Sequence, residues 1–299
     1  MNRQSLISQM GMIGLMLLVD VIALILASPM KEAGVMVFED PSSMANPLLF
    51  IGILLAFTLL LLILLRIGFR RLLTWIVIVS IFFTFIYTFD AILQRIAPAW
   101  SFAGAIVIGG SAVATALLFL YPEWYVIDSL GILIAAGVSA IFGISLEILP
   151  VLLLLVLLAV YDAISVYRTK HMITLATGVL EEKIPILFVI PRRKDYSFRR
   201  EGIRMEGGER GAFIMGMGDL IMPSILVVSA NSFGPAAGLL GISALSLGAL
   251  AGSLAGLGTL FLVLHSGKPQ AGLPPINGGA IAGLLIASLI TGTWGWLGI

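Results

Sequence analysis

The chain has 299 residues, 60% of them hydrophobic and only 11% charged, with a formal net charge of +1. Its mean hydropathy is +1.11, far more apolar than the roughly 45–50% apolar content of an ordinary soluble domain, which excludes a soluble enzyme and implies a polytopic membrane protein. The absence of cysteine excludes disulfides, thiolate catalysis and cysteine metal sites.

The two histidines, His171 and His265, are too few and too scattered for a His-rich metal site. No metal, cofactor or nucleic-acid partner is therefore expected, and the lipid bilayer is the surrounding phase. The first apolar run is too long for the core of a signal peptide and lacks a small-residue cleavage site, so no cleaved leader is expected.

Apolar runs of about 20 residues set the spans. They are placed at Leu6 to Ser28, Pro47 to Leu65, Leu72 to Phe89, Trp100 to Leu120, Ile127 to Leu146, Leu149 to Tyr167, Gly211 to Ser232, Ala236 to Leu264 and Leu273 to Leu297. The expected fold is all-α, with nine transmembrane helices. Residues 1–170 form an amino-terminal membrane part with spans one to six, residues 171–210 a basic loop, and residues 211–299 a carboxy-terminal part with spans seven to nine.

The connections alternate in charge. Arg3, Arg66, Arg70, Arg71, the ten Lys/Arg residues from Arg168 to Arg210, and Lys268 fall on one side, leaving Lys31 and Arg95 opposite. The positive-inside rule then places the amino terminus in the cytoplasm and the carboxyl terminus outside. The loop holding Glu123 and Asp128 is placed inside on the alternation alone.

The first outer loop, Pro29 to Asn46, carries Glu32, Glu39 and Asp40 and suggests no chemistry. Asp20 in the first span and Glu147 at the junction of the fifth and sixth are each expected to reach water or a neighbouring helix. Asp90 reads as an interface residue. The polar segment from His171 to Arg210 reads as a cytoplasmic linker drawn to anionic headgroups. Within it, Ile184 to Ile190 is apolar and partly β-branched, fit to dock on the membrane surface or to pair with an extended substrate.

Small residues crowd the seventh and eighth spans. Gly234 and Gly238, and likewise Gly248, Gly252 and Gly256, are spaced four apart, a pattern that lets helix backbones approach closely. The ninth span opens on Gly272-Leu273-Pro274-Pro275, where two prolines remove two backbone donors at a helix start. That can be a cap or a break facing protein or water.

Two acids in hydrocarbon demand a function, because an intramembrane carboxylate is costly and marks a proton, ion or catalytic site. Asp162 lies six residues before Arg168 and Asp219 eight residues after Gly211, depths of roughly 9 and 12 Å at helical rise. If the sixth and seventh spans are neighbours, the carboxylates can meet. A contacting pair shares a proton and supplies one acid and one base, as hydrolysis of an amide by water requires. Gly216 and Gly218 either let another backbone approach Asp219 or serve helix packing. Tyr161 either packs beside the pair or donates to it.

Tyr161-Asp162, then Gly216-Met217-Gly218-Asp219 after a long polar loop, then Leu273-Pro274-Pro275 opening the last span, resemble the presenilin and signal-peptide-peptidase family of intramembrane aspartyl proteases. The resemblance covers all nine spans and the position of the loop. It implies Asp162 and Asp219 as catalytic residues, Tyr161, Gly216, Met217 and Gly218 as their support, and Leu273, Pro274 and Pro275 as a substrate-docking motif. The family's third motif is Pro-Ala-Leu, where this chain has Pro274-Pro275-Ile276. The orientation is that of presenilins, and the compact loops point to a prokaryotic member. Substrates would be transmembrane or signal-peptide-like polypeptides. Two other readings stand beside this one: a proton- or ion-coupled transporter using both aspartates with helix breaks at its site, and a prepilin-peptidase-type protease with its acids at the membrane surface.

Overall fold

Backbone groups in hydrocarbon must be satisfied internally, so long apolar runs wind into helices. The computed structural model describes residues 3–97, 100–169, 187–193, 195–202, 211–235, 241–264 and 270–297. In chain order the helices are α1 (Arg3–Glu32), α2 (Ala45–Arg66), α3 (Arg70–Ile96), α4 (Ala103–Leu120), α5 (Trp124–Ser145) and α6 (Ile148–Ile164), which passes into a π-helical turn at Ser165–Thr169. Strand β1 (Leu187–Pro191), the short α7 (Phe198–Glu201) and strand β2 (Ala212–Gly216) follow. Three further helices, α8 (Met217–Phe233), α9 (Ala244–Leu264) and α10 (Leu273–Thr291), complete the membrane part.

Among the described residues eight helices are long and apolar enough to cross a membrane, and the shorter α8 supplies the ninth expected span. They differ in what they face. Of its apolar window, α5 has 61% buried inside the protein and α2 only 11%. Thus α5 is a central post while α2 turns its Leu and Ile side chains toward lipid. Around α5 lie α1, α3 and α8, and α6, α8 and α10 share a second apolar core.

The seventh span departs from expectation. Gly211 to Gly216 was expected to be helical, yet Ala212–Gly216 is extended and pairs antiparallel with Leu187–Pro191 in a two-stranded sheet. A short apolar run such as Ala-Phe-Ile-Met-Gly is ambiguous between strand and helix by pattern alone. A partner strand decides it here. For the same reason the Leu187–Ile190 part of the apolar loop segment pairs with its own chain; residues 184–186 lie outside the described residues.

Asp20, expected to reach water or a neighbouring helix, is fully buried. It accepts a hydrogen bond from the Ser224 hydroxyl of α8, so of the two alternatives the neighbouring helix holds. Glu147 is half-buried at the N-cap of α6, and its N–H donates to the Pro41 carbonyl at 2.9 Å. Gly234 caps α8, with its N–H on the Ala230 carbonyl, and a Cβ there would lie 3.3 Å from Leu245 of α9. Gly238, His171, His265, Lys268 and the loop outside 187–193 and 195–202 lie outside the described residues.

The expected close packing is found between α9 and α10. A Cβ on Gly248 would fall 2.5 Å from the Gly283 carbonyl oxygen, one on Gly252 2.1 Å from that of Gly279, and one on Gly256 2.3 Å from that of Pro275. Backbone therefore lies on backbone along three turns. The uppermost contact fixes the first turn of α10, where the prolines stand.

Because a Cβ at Gly252 meets backbone whereas one at Gly258 meets nothing within 4 Å, the same substitution should have opposite fates on one helix. Gly252→Ala should cost roughly 1–3 kcal/mol by forced separation of α9 and α10. Gly258→Ala should stay within about 0.5 kcal/mol of the wild type. Thermal unfolding of both variants in detergent measures the difference.

Candidate active site

Asp162 sits in the last turn of α6, buried with 6% of its surface exposed. The helix loosens immediately after it: the N–H of Ser165 turns back to the carbonyls of Asp162 and Tyr161, and a π turn follows. Single π turns recur at functional sites because they re-aim side chains. Here the turn carries Tyr167, whose hydroxyl lies 2.8 Å from Gln270 Oε1 and accepts from the Ala271 N–H at 3.4 Å. Tyr167 thereby ties down the segment leading into α10.

Asp219 is the third residue of α8, half-buried, with Gly216 at the N-cap. A carboxylate in the first turn of a helix is favoured by the exposed N–H groups there. Its approach is by strand rather than helix, since β2 leads directly into Met217. The depth inferred from helical rise therefore does not apply, and extended chain at about 3.3 Å per residue carries Asp219 further from Gly211.

One dipeptide touches both acids. The N–H of Leu273 donates to Asp162 Oδ2 at 3.1 Å, and the Gly272 N–H also faces that carboxylate. A Cβ on Gly272 would lie 3.0 Å from Asp219 Oδ2 and 3.3 Å from its Oδ1. Asp162 accordingly lies within electrostatic range of Asp219. The sixth and seventh spans do bring the two carboxylates to one place, and the start of the ninth joins them.

Met217 is buried against α5, where a Cβ on Gly131 would be 2.7 Å from its Cε and 3.2 Å from Phe188. Gly216 is beside the acid, its Cβ position 3.6 Å from Asp219 Oδ2, while Gly218 is exposed and a Cβ there would meet nothing within 4 Å. Neither shows another backbone in close contact; the backbone that approaches Asp219 is that of Gly272, and Gly131 makes room for the Met217 and Phe188 side chains. Tyr161 is half-buried beside Asp162. Leu273, Pro274 and Pro275 are half-buried at the first turn of α10, where missing N–H groups cost nothing because a helix start leaves them unpaired.

Several contributors escaped sequence reading. Pro223 stands four residues after Asp219 inside α8, so it withholds the N–H that would otherwise bond to the Asp219 carbonyl. That spacing was legible. Tyr167 and the Asp20–Ser224 contact join residues 103 and 204 positions apart in the chain, and no local pattern announces them. Among the described residues no group of three His, Asp or Glu side chains could hold a metal ion.

Two aspartates meeting inside a polytopic helical protein are the arrangement of an intramembrane aspartyl protease. Residues 13–293 match the family model described as signal-peptide peptidase, presenilin aspartyl protease. The chain is 50% identical to a presenilin family intramembrane aspartate protease solved in a C222 crystal form, covering 94% of this chain and 99% of that one with a TM-score of 0.72. A presenilin family intramembrane aspartate protease solved in a P2 form gives 50% identity, 94% and 97% coverage and a TM-score of 0.69. No curated protein matches the chain. The chain belongs to the signal-peptide peptidase and presenilin family of aspartyl proteases and is an intramembrane hydrolase of peptide bonds. The transporter reading is set aside with that result.

Gly272 leaves little room for a side chain, although its φ of −79° and ψ of −41° suit any residue. Gly272→Ala should displace the Asp219 carboxylate by a few tenths of an ångström and lower turnover about tenfold or more. The folded yield and Tm should remain near wild type. Specific activity measured beside thermal stability checks this.

Proposed function

We propose that Asp162 and Asp219 are the catalytic pair and that they act through a water held between them. The observation that supports this best is the Gly272–Leu273 backbone, which contacts both carboxylates at once. In such a pair the ionised member takes the proton of water as it attacks the scissile carbonyl, and the protonated member donates to the developing oxyanion. Tyr161, Gly216, Met217 and Gly218 flank the pair at the end of α6 and at the β2–α8 junction. No cofactor enters the reaction.

Substrates on this reading are single transmembrane segments or signal-peptide-like polypeptides, cut within the bilayer of the cell membrane. The amino terminus is cytoplasmic and the carboxyl terminus external, as the distribution of Lys and Arg favours. A helical substrate guards its peptide bonds with its own hydrogen bonds, so it must unwind before cleavage. Strand β2 offers it a partner. The Arg192 N–H donates to the Gly211 carbonyl at 2.9 Å, which marks that pair as hydrogen-bonded. Alternation along the register then turns the backbone groups of Ala212, Ile214 and Gly216 away from β1. The Gly216 carbonyl, at the N-cap, turns into the first bond of α8, and among the described residues no backbone group pairs with the outward groups of Ala212 and Ile214. An unwound segment added there lies against the residues that lead into Asp219, and Leu273, Pro274 and Pro275 border it as a docking motif.

Asp162→Ala and Asp219→Ala should each reduce cleavage of a membrane-span peptide by at least about a thousandfold, because one carboxylate cannot be both acid and base. Purified wild type should show a bell-shaped pH profile. Activity is lost on the acid limb when both carboxyls are protonated and on the alkaline limb when both are ionised. Near-normal cleavage by either variant sinks the assignment.

Replacing Pro274 and Pro275 together by Ala restores two N–H groups at a helix start where stability does not need them. If the motif docks substrate, specific activity should fall several-fold while Tm changes by no more than that of an ordinary surface substitution, about 0.5 kcal/mol. Unchanged activity per folded molecule assigns the prolines to capping alone.

A further inference from the structure

The opposite edge of the sheet is closed by a residue with no assigned role. The outward groups of β1 belong to Leu187, Val189 and Pro191 by the same alternation. Pro191 has no N–H to offer, a common device against unwanted strand pairing. The N–H of Val189 is taken by Asp128 Oδ1 at 2.8 Å. Val189 is wholly buried and Asp128 has 8% of its surface exposed, so this carboxylate binds a backbone donor that water does not reach. An acid is a costly choice for a site that bonds one amide, since its burial is penalised.

One turn further along α5, Gly131 receives Met217 and Phe188. The same face of α5 thus seats β1 through Asp128 and the residue two before Asp219 through Gly131. Further on, the Ser139 hydroxyl donates to the Ile221 carbonyl at 3.3 Å, so the contact with α8 continues past the acid. β1 is the only described strand that pairs with β2, and whatever fixes β1 on α5 fixes the register of the strand that delivers Asp219.

We propose that Asp128 is a positioning residue for cleavage: by holding the Val189 N–H it anchors the sheet to α5, closes the β1 edge, and aligns the open β2 edge with the aspartates. The inference rests on the reading that an unwound substrate pairs along β2. Asp128 touches neither substrate nor water in this role. It sets where along the substrate the cut falls.

The experiment uses the purified full-length chain with a membrane-span peptide, measuring KM, kcat and the cut position by mass spectrometry. Asp128→Ala leaves the Val189 N–H buried and unpaired and should raise KM about fivefold or more and spread the cut over neighbouring bonds. Asp128→Asn keeps an acceptor oxygen and should restore KM to within about threefold and return a single cut position. Binding of a hydroxyl-bearing transition-state mimic to the aspartates should remain within about threefold in both. Unchanged KM and cut position per folded molecule in Asp128→Ala overturn the inference.

If Asp128→Ala does not fold, Asp128→Glu decides, because it keeps the carboxylate but moves it by a methylene; wild-type KM and cut position in that variant overturn the inference equally. The underlying reading is tested separately by peptides N-methylated at single amides near the cut. If the wild type ignores every such methyl, pairing along β2 fails and the inference falls with it. If the wild type is sensitive and Asp128→Ala behaves like wild type, only the role of Asp128 fails.

Discussion

Leu273 gives its backbone N–H to Asp162 while Gly272 lies against Asp219, and the meeting of the two acids depends on that dipeptide staying in place. It is held from two directions. Below it in the chain, Tyr167 of the π turn binds Gln270 and Ala271. Above it, Gly256 of α9 lies against the Pro275 backbone. The glycine rail of α9 is therefore part of the site's support, although it is remote from the chemistry. Asn277 adds a tie to α6 by donating to the Leu155 carbonyl at 3.1 Å. Polar bonds of this kind hold membrane helices together where lipid and side chains are equally apolar.

Asp219 stands on a less regular part of the chain than Asp162. It stands where a strand becomes a helix, and Pro223 removes the intrahelical bond that its carbonyl would receive. The first turn of α8 consequently takes its rigidity from neighbours. Met217 is wedged against Gly131 of α5, and Ser224 binds both the Leu220 carbonyl at 2.8 Å and the carboxyl of Asp20. Asp20 has its other oxygen buried without a partner among the described residues. A polar group so placed stabilises the fold only through the bond it does make. Its contact with α8 falls five residues beyond Asp219, on the helix whose start needs support.

The sequence carried the site more clearly than the route into it. Asp162 and Asp219 stood out because each is an acid in an apolar run, and the spacing of Gly248, Gly252 and Gly256 pointed to close packing, though not to α10 as the partner, because helical period alone determines which residues share a face. β2 was illegible for the opposite reason: Ala212 to Gly216 continues the hydrophobicity of α8, and nothing local distinguishes five extended residues from one and a half helical turns. The error propagated to depth. Asp20 was read as reaching water or a neighbouring helix, and the choice is decided by α8 packing across it. Asp128 was placed near a loop by charge alternation, and its partner Val189 is 61 residues away.

The strand entry also bears on how a bilayer enzyme can open a helix. Each backbone group left unpaired in hydrocarbon costs several kcal/mol, so unwinding even one turn of a substrate opposes cleavage strongly unless its bonds are remade. A helix in place of β2 would turn the carbonyls of Ala212 to Gly216 into its own following turns and present no extended edge to a substrate. As a strand with one closed and one open edge, the same residues keep the outward N–H and C=O groups of Ala212 and Ile214 and the N–H of Gly216 available. On the proposed reading those groups offset the unwinding at the only place where it is useful, immediately before Asp219. Closure of the β1 edge by Pro191 and Asp128 then matters as much as the open edge. A sheet that could add a strand on either side would bind half its substrates away from the acids.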